Sequence, residues 1–149
     1  MSAPPPVPLS RPRIVDTAFW VLLAGAVLLV VGGLLAATLS FDTVRAATAA
    51  SISNEELRRY LFFHRGAGVG CALAGAGLGF LAGRTRAGDA RFRRATIGLA
   101  LAIVVLVGLS AVFAGIHVLS LLALLPIIVG MLMLTRPAAT AWFDARGEE

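Results

Sequence analysis

The chain has 149 residues, 58% of them hydrophobic and 14% charged, with a formal net charge of +5, and its mean hydropathy is +0.89. This composition leaves too little polar surface to cover a soluble core, which excludes an ordinary soluble domain. The positive balance does not indicate nucleic acid, because around long apolar runs the position of charge matters more than its sum.

Four apolar runs, over residues 17–39, 61–82, 95–113 and 117–134, fill most of the sequence. Each has about the length that a helix rising about 1.5 Å per residue needs to cross a hydrocarbon core of about 30 Å. They predict an all-α fold, an integral membrane four-helix bundle forming one domain over residues 17–134. A Pro-rich tail precedes it at 1–16 and a C-terminal tail follows at 135–149. Pro4, Pro5, Pro6, Pro8 and Pro12 disfavour regular helix in the opening segment. Asp16 or Thr17 suits the N-cap of the first span, with Phe19 and Trp20 as interfacial anchors. That run exceeds the about 7–15 apolar residues of a signal peptide and further spans follow, so it reads as a crossing.

Between the first two spans, Phe41, Val44, Thr48 and Ile52 fall at near-helical spacing, which predicts a short interfacial helix over residues 42–50. Ser53 followed by Glu56 is a capping-box pattern, expected to start a helix that continues into the second span. Glu55 and Arg59 are spaced for an i,i+4 ion pair on it. The second span carries glycines four apart, Gly66 with Gly70 and Gly75 with Gly79. Small residues at this spacing let another backbone come close, so these four are the candidate helix-packing residues and this helix is expected to be central. Cys71 lies in mid-span and, as the only cysteine, has no intrachain disulfide partner.

The next connection, residues 83–94, carries Arg84, Arg86, Arg91, Arg93 and Arg94 against Asp89 alone. The positive-inside rule places it in the cytoplasm, together with Arg11, Arg13 and both chain ends, in a bacterial plasma membrane. Its five arginines are candidate contacts for anionic lipid head groups. Spans three and four are joined by the few uncharged residues 114–116 and must be antiparallel neighbours, and Pro126 predicts a kink in the fourth. Trp142 and Phe143 read as a closing interfacial anchor.

No Asp or Glu lies within any of the four runs, which disfavours proton-coupled transport. The size is similar to that of small multidrug transporters, but that family depends on an acidic residue in its first span, and residues 17–39 have none. Fluoride channels are also small four-helix proteins, and no comparable polar track is present. His64 and His117 are expected near the same membrane face, without a carboxylate or cysteine at that depth to complete a metal or haem site. No nucleophile, base and acid gather at one depth, so the reading is non-enzymatic and without cofactor.

The stretch from Arg11 to Trp20, the small-residue connection after span one, and Thr135-Arg136-Pro137 with Trp142-Phe143 together resemble a loose group of small four-helix actinobacterial membrane proteins of mycobacterial type. The use of arginine for all 13 basic residues agrees with a GC-rich source. The resemblance implies a plasma-membrane location and supplies no functional residues. The expected role is an accessory, scaffold or assembly component of a larger cell-envelope complex, with the lipid bilayer and a membrane protein or a second copy as partners and no nucleic acid. The alternative is a small oligomeric channel or transporter that works without intramembrane carboxylates.

Overall fold

The structure, a computed structural model, describes residues 10–49, 51–113 and 118–147. The Pro-rich segment before Ser10, the connection at 114–116 and His117 lie outside the described residues. Among those described, every regular element is an α-helix: α1 (Arg13–Thr38), α2 (Phe41–Ala47), α3 (Asn54–Arg86), α4 (Ala90–Phe113), α5 (Val118–Leu134) and α6 (Pro137–Gly147). Helices α1, α3 and α4 are long and apolar enough to cross a membrane. Helix α5 has 17 residues and joins α6 at a 59° bend, and the pair counts as a fourth candidate if taken as one broken span.

Helix ends differ from the sequence expectation by about a turn, for identifiable reasons. Helix α1 starts at Arg13 behind Pro12, without a side-chain cap. Asp16 is therefore already inside the first turn, where its carboxylate takes guanidinium partners rather than backbone amides. Helix α2 is shorter than expected, ending at Ala47 with Thr48 as its C-cap, and Ser40 Oγ accepts from Thr43 N. The capping box forms: Glu56 N donates to Ser53 Oγ at 3.2 Å and Ser53 N donates to Glu56 Oε2 at 3.0 Å. From it α3 runs unbroken for 33 residues. The expected 83–94 loop shrinks to Ala87-Gly88-Asp89, where Gly88 has φ +100°, a left-handed turn that glycine accommodates.

The long helices touch in a ring: α1 packs on α3 and α5, and α4 packs on the same two. The contacts of α1 with its two neighbours are the most extensive in the ring. Two seams of small residues explain this. Gly25 and Gly32 face α5: a Cβ built on Gly25 would lie 3.2 Å from the Ala123 carbonyl oxygen, and one on Gly32 2.9 Å from Ser120 N. Ala26 and Gly33 face α3, where a Cβ on Gly68 would lie 2.6 Å from the Gly33 carbonyl oxygen and one on Gly75 2.8 Å from that of Ala26. Gly130 of α5 returns the favour to α1 by seating Leu22.

Each of these pairs, Gly25/Gly32, Ala26/Gly33 and Gly68/Gly75, is seven residues apart. A seven-residue repeat keeps one face toward a neighbour when two helices run nearly parallel to each other's axis. Leu22, Leu29, Leu78 and Ile127 fill the space between the seams and are essentially inaccessible. The α3–α4 contact is held at one end by a buried pair of hydroxyls. Thr85 Oγ1 donates to the Leu81 carbonyl at 2.8 Å, which uses its one proton, so Thr96 Oγ1 donates to it at 2.8 Å.

Because the atoms facing Gly68 are backbone, they cannot step aside. Gly68→Leu is expected to destabilise the protein by at least about 1–3 kcal/mol, whereas Gly66→Leu, where nothing lies within 4 Å of the added Cβ, leaves its own fold near wild type. Thermal unfolding of the two purified variants in detergent compares them directly.

Candidate functional site

The four glycines of the sequence pattern do not share a face. Gly75 is buried against Ala26 and Val30, and a Cβ on Gly79 would make ordinary contact, 3.8 Å from Ala26 and Leu23. Gly66 and Gly70 are exposed, with no atom of another element among the described residues within 4 Å of an added Cβ. Helical geometry accounts for the split: the step from Gly70 to Gly75 is five residues, about 140° beyond a full turn. The open glycines lie on an apolar face with Phe63 (64% exposed), Leu73 (70%) and Phe80 (64%). Beside them, α3 and α4 leave a cleft of about 290 Å³ whose walls include Ala67, Gly70, Ile103 and Leu106.

The arginines expected at a lipid surface also separate into two groups, at the end of the structure that carries α6. Arg86 Nε donates to Asp16 Oδ1 at 2.8 Å, and its guanidinium lies 4.8 Å from the Phe19 ring centre. Arg93 Nε donates to the Leu134 carbonyl at 3.0 Å and Nη2 to Thr140 Oγ1 at 2.7 Å, with the Phe143 ring 5.4 Å away. Arg84 lies over Phe92 at 5.1 Å. These three tie helices together. Arg91 and Arg94 are exposed and make no side-chain hydrogen bond or ion pair among the described residues.

Helix α6 is the largest departure at this end. The segment expected as a tail folds against α1, α4 and α5, burying Ala139, Trp142 and Phe143, so the two aromatics are interior contacts rather than interfacial anchors. Arg146 fastens it by donating to the Ala87 carbonyl at 3.1 Å and stacking on Trp142 at 4.9 Å. Arg93 and Arg146 thus satisfy carbonyls at the ends of α5 and α3 that have no partner within their own helices. The signal missed in the sequence is the pattern Ala139, Trp142, Phe143, spaced three and four apart in the manner of a buried helix face.

At the opposite end, which carries α2, arginine again serves backbone carbonyls. Arg45 Nη1 donates to Ile52 O at 2.6 Å, and Arg65 donates to Leu39 O through both Nε, at 3.0 Å, and Nη2. His64 stacks on Tyr60 with ring centres 5.4 Å apart. No ion pair joins Glu55 to Arg59, since the ion pairs among the described residues are the two made by Asp16. An exposed pair of long side chains gains too little to offset its lost rotamer freedom. Among the described residues no three His, Cys, Asp or Glu side chains gather as metal ligands.

The division among arginines is measurable. Arg93→Gln removes two charge-assisted hydrogen bonds from a half-buried site and is expected to cost about 1.5–3 kcal/mol. Arg91→Gln is expected to stay within about 0.5 kcal/mol of wild type, and unfolding in detergent distinguishes them. No protein family, curated protein or solved structure matches the chain.

Proposed function

We propose that the protein is a four-pass plasma-membrane bundle that acts by association, as an accessory, scaffold or assembly component of a larger envelope complex. The observation that carries this reading is the open face of α3. Gly66 and Gly70 are four apart, and an added Cβ on either would meet no described residue of another element within 4 Å, while the seven-residue seams are used up inside the chain. Four-residue glycine spacing favours a right-handed crossing with a helix from another molecule, gaining close contact where lipid offers no hydrophobic drive. Leu73 and Phe80 on the same face add exposed apolar surface to such a contact.

In this reading α2 lies on the outer surface of the membrane, and the arginine-rich α3–α4 turn and both chain ends are cytoplasmic. Of the five arginines first considered for anionic lipid, Arg91 and Arg94 keep that role, because Arg84, Arg86 and Arg93 have partners within the chain. The resemblance to small actinobacterial membrane proteins agrees with the location.

The purified chain, reconstituted alone in liposomes, is expected to conduct no ions or small solutes, and to recover a discrete membrane partner when isolated from its native membrane. Gly70→Leu is expected to reduce partner recovery at least about tenfold while the fold persists. Defined solute flux from the chain alone would overturn the reading, as would undiminished recovery with Gly70→Leu.

A further inference from the structure

We propose that the α2 end of α3 holds a single anionic phospholipid, with its phosphate on Arg58 and Arg65 and one acyl chain along the groove below them. This goes beyond the associative role and rests only on the chain being a membrane protein.

The groove has a volume of about 770 Å³ and lies where the polar connection meets the apolar part of α3. Arg58, Phe62, Arg65 and Val69 are spaced four, three and four apart, so they form one stripe down the helix. Phe41, projecting from the start of α2, forms the facing wall. Arginine and apolar side chains alternate down the stripe, and below Arg65 it continues into the apolar part of the helix at Val69, which sets guanidinium donors for a head group above a surface for its chain.

Charge selects the ligand. Among the described residues Arg58 has no carboxylate oxygen within 4.0 Å, and its guanidinium carbon lies 5.7 Å from the centre of the Phe41 ring. Arg65 spends Nε and Nη2 on the Leu39 carbonyl, which fixes the side chain and leaves Nη1 to donate elsewhere. Of the nearby acids, Glu56 is held by the Ser53 cap, while Asp42 and Glu55 are exposed and make no ion pair among the described residues. Two guanidiniums on one face, the lower one anchored, provide the donors that a phosphate diester accepts. Below Arg65, Val69 is 50% exposed and offers apolar surface that an acyl chain would cover, and Phe62, 75% exposed between the two arginines, flanks the head group.

The site differs in kind from Arg91 and Arg94, which are exposed on the first turn of α4 at the other end. The groove adjoins the open glycine face, since Gly66 and Phe63 are among its lining residues, while Gly70 and Leu73 are not.

The test is native mass spectrometry of the full chain, delipidated in detergent and titrated with phosphatidylglycerol or phosphatidylcholine of equal chain length. Phosphatidylglycerol is expected to bind at least about fivefold more tightly, the contribution of about one arginine at an anionic surface. Arg58→Gln is expected to bring that preference below about twofold, Arg58→Lys to retain most of it, and Arg91→Gln to leave it unchanged. Val69→Trp, which fills the groove without changing charge, is expected to weaken binding of phosphatidylglycerol. Equal binding of the two lipids by the wild-type chain would overturn the proposal. So would a preference that survives Arg58→Gln, or unchanged binding in Val69→Trp. Partner recovery does not enter any of these readings, so the lipid site and the associative role stand or fall separately.

Discussion

The structure depends on how closely the backbone of α1 approaches those of α3 and α5. At Gly33 and Gly68 the two helices meet so tightly that a methyl group on either would press on backbone atoms of the other. In a membrane this closeness is the main source of cohesion, since lipid tails solvate apolar side chains as well as protein does, and only better contact favours the packed state. Glycine and alanine at seven-residue intervals give α1 two such faces at once. The position of α1 between two neighbours, and with it the placing of α3, follows from them.

With α1 fixed in this way, α3 has one face committed and another left over. Gly68 and Gly75 go to α1, Thr85 to Thr96 of α4, and the remaining side carries Gly66, Gly70 and exposed large apolar residues. The ends of the helices are finished by arginine. Arg65, Arg93 and Arg146 each reach across to a carbonyl on another segment, and Arg84, Arg86, Arg93 and Arg146 each lie over an aromatic ring. A guanidinium suits both tasks, with a planar fork of donors on its edge and a weakly hydrated face that stacks on a ring. Much of the arginine content is thus structural, in addition to any part it has in setting topology.

The helical class, the first three candidate crossings and the capping box at Ser53 were legible in the sequence because each depends on local pattern: run length, charge placement or a spacing of three. The packing face was not. Four-residue glycine spacing attracts attention as a membrane motif, yet in this fold the pair Gly66/Gly70 is open, and of the four expected glycines Gly75 makes a tight internal contact, beside Gly25, Gly32, Gly33, Gly68 and Gly130. The seven-residue intervals between these were present in the sequence, but which glycines meet depends on which helices are neighbours, a property of the whole chain. The tail expected after residue 134 failed for a similar reason. Alone, Pro137–Gly147 is short and only weakly amphipathic, and it becomes a helix with a buried face because α1, α4 and α5 offer it a surface.

The claim that the open side of α3 meets another protein is tested most directly by a photo-crosslinking amino acid placed at Leu73 and, for comparison, at Leu125, both exposed in the folded chain. Illumination in native membranes is expected to give a discrete protein adduct from position 73 and lipid adducts alone from position 125 on α5. Lipid adducts alone from both positions would contradict the account.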